Sequence, residues 1–164
     1  MSVTTQNSVE VAKMVSNPPT LVDPTVANGK LRFAYFAHTQ DGAGDATSTV
    51  CIAKLPRGKV RLIPGLSCIQ HNWTTASATV DIGWDGYTQP DGTVVAADPD
   101  GIDDGISVET AGVLSGEDLG AQLTATGRTK LFDSKNGVDI RLTSQDVALA
   151  AASTASGYLA YVVE

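Results

Sequence analysis

The fold is decided most clearly by residues 78–84, which read ATVDIGW. Apolar side chains hold every second position and smaller or polar ones the positions between: Ala78, Val80, Ile82 and Trp84 against Thr79, Asp81 and Gly83. A period of two places the two sets on opposite faces of an extended chain. The stretch therefore predicts a β-strand that turns one face toward a core.

Outward from this strand, the chain divides into segments of strand length. Pairs such as Asp-Gly and Pro-Gly separate them, and residues 31–38 (LRFAYFAH) and 157–163 (GYLAYVV) are the most regular. Further strands are predicted at residues 48–55, 60–63, 66–73, 93–96, 122–125, 129–132 and 138–142, with a loop at 98–105. Eight to ten short strands at intervals of about 10 residues are typical of a β-sandwich or β-barrel. We predict an antiparallel β-sandwich, jelly-roll-like rather than immunoglobulin-like.

The first thirty residues differ from the rest of the chain. Two proline segments, NPP at 17–19 and DP at 23–24, lack backbone donors and favour extended conformations. We predict an extended N-terminal arm over residues 1–30 and a β-sandwich domain over residues 31–164. A disordered tail is the alternative for the arm.

Charge is distributed unevenly in a chain whose net charge is −7. The segment from Leu62 to Gly127 contains ten acidic residues and no Lys or Arg. Four cations crowd into one short stretch: Lys54, Arg57, Lys59 and Arg61. Because nucleic-acid binding depends on neutralising phosphates, an acidic chain with a single basic turn is a poor candidate for it. The acidic middle is interpreted as a solvated face.

Nothing at the N-terminus or in the hydropathy pattern indicates export or a membrane. The start, MSVTTQNSVEVAK, lacks the basic and apolar regions of a signal peptide, and no apolar run approaches the roughly 18 residues of a membrane span. We therefore expect synthesis in a cytoplasm, with Cys51 and Cys68 reduced. Both cysteines lie in apolar segments and are predicted to be core thiols.

The sequence contains no recognisable catalytic motif, so we predict that the protein is not an enzyme and needs no cofactor. His38 and His71 lack the spacing of a metal or catalytic site, and no nucleophile elbow or phosphate loop is present. Residues 98–105 (DPDGIDDG) contain the oxygen ligands that calcium prefers, but their spacing departs from the EF-hand. An exposed acidic loop is the preferred interpretation, and a calcium site of another type stays open.

Two tryptophans, Trp73 and Trp84, have two interpretations. They form either a stacking platform for sugars or part of a core or interface. Since Trp84 shares a strand face with Val80 and Ile82, packing is favoured.

Three segments together carry a resemblance to a known class of proteins. A turn of the form KLP-x-G at residues 54–58 leads into one strand, ATVDIG at 78–83 forms another, and GYLAYVV follows a turn of small residues at 150–156. In these features the chain resembles small virion structural proteins of tailed phages, of the capsid decoration (cement) type. The resemblance implies a location on the capsid surface, the major capsid protein as partner, stabilisation of the head, and a homo-oligomer that is often a trimer.

A ligand- or receptor-binding β-sandwich module of a virion, directed at a carbohydrate or a host surface, is the alternative function. In either case six residues are predicted to contact a partner: Lys54, Arg57, Lys59, Arg61, Tyr158 and Tyr161. The four cations form the only dense positive charge. The two tyrosines lie on opposite faces of a C-terminal strand that is apolar on both, so one face needs a further layer or another subunit.

Overall fold

The computed structural model describes residues 30–41 and 46–163, together with Ala12 and residues 16–18. The arm predicted for residues 1–30 therefore lies almost entirely outside the described residues, and its docking role stays a prediction. The first described strand begins at Lys30, which the sequence assigned to the end of the arm.

Twelve strands and three short 310-helices follow one another along the described residues, with about 55% of residues in strands and 10% in helices. They are β1 (Lys30–Thr39), β2 (Thr49–Leu55), β3 (Gly58–Leu62), η1 (Pro64–Leu66), β4 (Cys68–His71), β5 (Thr79–Trp84), β6 (Tyr87–Thr88), β7 (Val94–Val95), β8 (Asp98–Ser107), β9 (Gly112–Ser115), η2 (Gly116–Asp118), η3 (Ala121–Thr126), β10 (Lys130–Ser134), β11 (Val138–Gln145) and β12 (Thr154–Val163).

The strands form two main sheets and one small hairpin, and every pairing is antiparallel. In the six-stranded sheet, β12 pairs with β1 along all ten residues, and it also pairs with β3 and β4, beyond which lie β10 and β9. The four-stranded sheet has the order β2-β11-β5-β8. The predicted fold class, an all-β antiparallel sandwich, is confirmed.

The core lies between the two sheets. Trp84 of the four-stranded sheet meets Phe132 of the six-stranded sheet edge to face, with ring centroids 5.5 Å apart. Trp73 stacks on His71 at 4.9 Å, and both tryptophans are at most 5% exposed. Burying a large apolar side chain contributes roughly 1.5–3 kcal/mol. The packing interpretation of the tryptophans is therefore confirmed, and no indole face remains open for a sugar.

The acidic stretch at 98–105 is not a loop, as the sequence predicted, but most of strand β8. Asp103 is fully buried, and its carboxylate accepts hydrogen bonds from the backbone N–H groups of Gly120 and Ala121, both at 2.8 Å. Asp81 of β5 accepts one from the N–H of Gly105, also at 2.8 Å. These bonds satisfy the carboxylates and hold an otherwise poor strand sequence against the sheet.

Residues 122–125, predicted as a strand, belong to the 310-helix η3 instead. Gly120 and Gly127 flank it in the left-handed region, with φ of 85° and 67°, which reverses the chain at both ends. The prediction of core thiols is also wrong, because Cys51 is exposed and Cys68 is only half-buried and does not belong to the core. A register shift between Ile140 and Arg141 of β11 places Cys51 opposite Arg141.

Candidate interaction surface

The outer face of the six-stranded sheet can be traced through its pairing, because directly opposite residues of antiparallel strands share a face. Tyr35 of β1 pairs with Tyr158 of β12, which pairs with Cys68 of β4. A second row runs across four strands, from Leu31 through Val162 and Arg61 to Leu131. We call this side of the sheet, away from the core, the outer face.

Large apolar side chains are exposed on the outer face. Five of the seven exposed large hydrophobic residues in the described part of the chain lie there: Leu31 (46% exposed), Phe33 (43%), Tyr35 (77%), Val113 (52%) and Leu131 (38%). Single exposed apolar residues are ordinary, but several gathered on one face mark an association site.

Three aromatic rings of the outer face pack together on the edge strand β1 and its neighbour β12. The ring of Tyr158 lies 5.3 Å from Phe33 in an edge-to-face arrangement and 5.7 Å from Tyr35. Phe33 and Tyr35 are 6.3 Å apart. The three rings therefore form one contiguous aromatic cluster on the outer face.

The two predicted contact tyrosines have different surroundings. Tyr158 is half-buried on the outer face, whereas Tyr161 lies on the inner side, opposite Leu62, and packs partly against the core. The chain itself already covers part of the outer face of β12, since Ala160 and Val162 are buried and η1 contacts β12. The exposed apolar residues of the outer face lie mainly on β1, and we call Leu31, Phe33 and Tyr35 the apolar strip.

β1 was not predicted to be a contact strand, although its sequence contains a signal for that role. Both of its faces are apolar, with Leu31, Phe33 and Tyr35 on one and Ala34 and Phe36 on the other. This is the pattern from which a second interface was inferred for β12. β1 is the edge strand, so its outward side chains stay exposed.

The predicted basic cluster is divided between the two sheets. Lys54 lies in the four-stranded sheet, where its Nζ is 3.2 Å from Oδ1 of Asp139. Arg57 is exposed in the turn between β2 and β3. Lys59 and Arg61 lie on β3 in the six-stranded sheet, on the outer face by register. The structure therefore places two of the four cations beside the apolar strip.

The acidic side of the molecule contains a cavity, but its described residues do not form a set of metal ligands. Asp98, Asp100, Gly101, Asp104 and Gln122 line a space of about 270 Å³ between β8 and η3. Burial, followed by the neighbouring Asp100, raises the pKa of Asp98, while Lys130 opposes this shift. In the part of the chain that the structure describes, no group of three or more His, Cys, Asp or Glu side chains is arranged to hold a metal ion.

No helix among the described residues is long and apolar enough to cross a membrane.

Comparisons with known proteins identify the fold. No family model matches the sequence, and no curated protein matches it either. A chain of the cyanophage Pam1 capsid asymmetric unit superposes with a TM-score of 0.54 at 12% identity, covering 91% of this chain and 96% of that one. A chain of infectious bursal disease virus, Gt strain, gives a TM-score of 0.50 at 8% identity, covering 84% of this chain but only 32% of that one. At these identities the likeness shows a shared fold.

Proposed function

We propose that this protein is a virion structural protein that decorates the capsid surface, binds the major capsid protein lattice and stabilises the head without catalysis. The single observation that carries the proposal is the exposed apolar outer face on a sandwich whose fold occurs in viral capsid chains. A surface of this kind needs a protein partner to remove it from water.

The two sides of the sandwich suit different surroundings. The outer face presents Phe33, Tyr35 and Tyr158, with Lys59 and Arg61 near one end. Aromatic residues and Arg are enriched at the centres of protein interfaces, which favours the three aromatic residues and Arg61 as contacts. The opposite side exposes carboxylates such as Asp100 and Asp104, which favour solvation. The outer face is therefore the side that docks on the capsid, and the acidic side faces the solvent.

Self-association is part of the proposal, because the same apolar surface can pair with a second copy. The trimer implied by the resemblance to decoration proteins stays a prediction. A carbohydrate-binding module is not proposed, since Trp73 and Trp84 are both buried in the core.

The test is the position of the protein on purified virus particles. Cryo-electron microscopy of particles that contain the chain should show ordered copies on the outside of the capsid, with the β1–β12 side against the major capsid protein. Particles whose capsid surface lacks the chain, or copies confined to the tail or the interior, would contradict the decoration role. The same map would reveal how many copies meet at each site.

A further inference from the structure

Two edge strands lie in contact on one flank of the sandwich, and only one of them is protected against pairing. β1 is the edge of the six-stranded sheet, β2 is the edge of the four-stranded sheet, and the two contact each other. β2 has features that discourage a further strand: a register shift along its ladder, the charged Lys54, and Pro56 directly after its end.

β1 lacks most of these features. Its ten residues pair with β12 without a register shift, contain no proline, and use only that one neighbour among the described residues. A regular apolar strand with a free edge presents a row of backbone donors and acceptors to any extended chain. Its two charges, Lys30 and Arg32, lie at one end, and no strand of the described residues pairs with the rest of this edge.

The strand is also complementary to itself. When two copies of β1 pair antiparallel about a two-fold axis, directly opposite residues lie on the same face of the joined sheet. Residues on one face of a strand are all odd-numbered or all even-numbered, so the numbers of two opposite residues must add to an even total. With the axis at Ala34, Phe33 of each copy lies opposite Tyr35 of the other, and Leu31 lies opposite Ala37. The aromatic strip of one sheet then continues into that of the next. Lys30 and Arg32 of the two copies are at opposite ends of the shared ladder and do not repel each other.

We propose that two copies of this protein pair antiparallel through the β1 edge, with Ala34 on the two-fold axis, and join their six-stranded sheets into one continuous sheet. The inference rests on the self-association part of the proposed function and is independent of capsid binding. An isologous contact of this kind closes after two copies and forms a dimer. The trimer that the resemblance implies would need a different, head-to-tail contact.

The first test is the mass of the unmodified full chain. Sedimentation equilibrium at concentrations from micromolar to about 0.1 mM should give a reversible monomer–dimer equilibrium. A mass that stays monomeric over this range, or that rises to a trimer, would overturn the edge pairing. The decoration role would be unaffected by either result, because it is tested on particles.

The second test is disulfide cross-linking, which determines which residues of the two β1 strands lie opposite each other. In a background in which Cys51 and Cys68 are changed to Ser, Ala34→Cys places two thiols directly opposite each other. The Cα separation of such pairs, about 4.5–5.5 Å, lies within the range that a disulfide spans. Mild oxidation should convert most of this variant into a covalent dimer.

The matched control is Ala37→Cys, on the same strand and more exposed than Ala34. In the proposed register the partner of Ala37 is Leu31 of the other copy, so the two thiols introduced by this control lie too far apart to bond. Dimer from Ala34→Cys at least fivefold in excess of that from Ala37→Cys is the expected result. Equal yields, or more dimer from Ala37→Cys, would indicate random collision and overturn the proposal.

Discussion

Strands β1 and β8 are each ten residues long, and each forms an edge of its sheet. In both strands the exposure of the side chains differs from what the composition predicts, but in opposite directions. β1 is rich in aromatic and aliphatic residues, and most of its side chains are exposed. β8 contains four aspartates, and two of its central residues, Ile102 and Asp103, are almost completely buried. Whether the side chains of each strand are exposed depends on the structural elements that pack beside it.

The neighbours explain the difference. η3 lies against β8 and satisfies Asp103 with two backbone N–H groups, so the acidic edge is closed by the chain itself. Beyond β1 no further strand pairs among the described residues, so its apolar edge has no partner in the part of the chain that the structure describes. Acidic β8 therefore contributes to the stability of the fold, whereas apolar β1 is the strand that we propose for association. The following predictions test this division.

The largest effect on stability is expected from Asp103→Ala. The change removes the acceptor of the buried N–H of Gly120 and of the part-buried N–H of Ala121, and leaving a buried donor unsatisfied costs about 1–3 kcal/mol. We expect the free energy of unfolding to fall by roughly 2–4 kcal/mol in urea denaturation. Asp104→Ala, at an exposed position on the same strand, is the control and should change it by less than about 0.5 kcal/mol. Equal losses in the two variants would refute the assigned role of Asp103.

The largest effect on association is expected from the double variant Phe33→Ser with Tyr35→Ser. Tyr35 is 77% exposed and Phe33 is 43% exposed, and neither belongs to the core, so the free energy of unfolding should change by only about 1 kcal/mol. Truncating a central aromatic residue of an interface typically costs more than about 1 kcal/mol, so binding to capsids should weaken by about 30-fold or more.

The matched control for this variant is Val94→Ser on β7. Val94 is 76% exposed and lies in the separate two-stranded sheet. Its replacement should leave binding unchanged. If the control weakens binding as much as the β1 variant does, the outer face is not the docking surface.

The pH dependence of stability should also distinguish the strands. Burial raises the pKa of Asp103 above the ordinary value of 3.8, although the two N–H groups and Arg128 oppose the shift. The folded state therefore holds this proton more tightly than the unfolded state does. Its contribution is fully present below pH 3.8 and is lost as the pH rises through the folded pKa.

The measurement compares wild type with Asp103→Asn across this range. The stability of the wild type relative to the variant should decrease as the pH rises from 3.8 toward neutrality. The difference between wild type and the β1 double variant, which changes no carboxylate, should stay constant. A wild type that gains stability over Asp103→Asn with rising pH would show that hydrogen bonding outweighs burial at this site.

The smallest effect is expected from the basic residues. Replacing Arg57, Lys59 and Arg61 together with Ser removes charges worth roughly 0–1 kcal/mol each, and salt screens them. Capsid binding should weaken mainly at low ionic strength, with little difference from wild type near about 0.5 M salt. Lys54→Ser is the comparison, because Lys54 lies on the other sheet beside Asp139. Identical binding by the triple variant at every salt concentration would assign these residues to a solvated turn.

The fold class was predictable because alternation is a local property that most strands preserve. β1, β5 and β12 coincide closely with the predicted segments. β8 was missed because Asp, Pro and Gly are poor strand formers, and what holds this strand is a contact of Asp103 with residues 17 and 18 positions away. Cys51 was placed in the core because a register shift in its partner strand cannot be read from the sequence.

The interaction surface was predictable only in part. The apolar character of both faces of β12 directed attention to the C-terminal strand, but the order of the strands decides which apolar face remains exposed. Because β12 is interior and β1 is its edge partner, the exposed residues are Phe33 and Tyr35 rather than Ala160 and Val162. Lys54 was grouped with Lys59 by proximity in sequence, although the turn between β2 and β3 carries them into different sheets.

The most direct test of the account uses the two native cysteines, one on each side of the sandwich. Cys68 lies on the outer face opposite Tyr158, and Cys51 is exposed on the four-stranded sheet opposite Arg141. The rate at which each thiol reacts with a maleimide is measured by mass spectrometry, in free protein and on virus particles. We predict that Cys68 reacts at least tenfold more slowly on particles than in free protein, while Cys51 reacts at an unchanged rate. Protection of Cys51 with Cys68 unchanged would show that the opposite side of the sandwich faces the capsid.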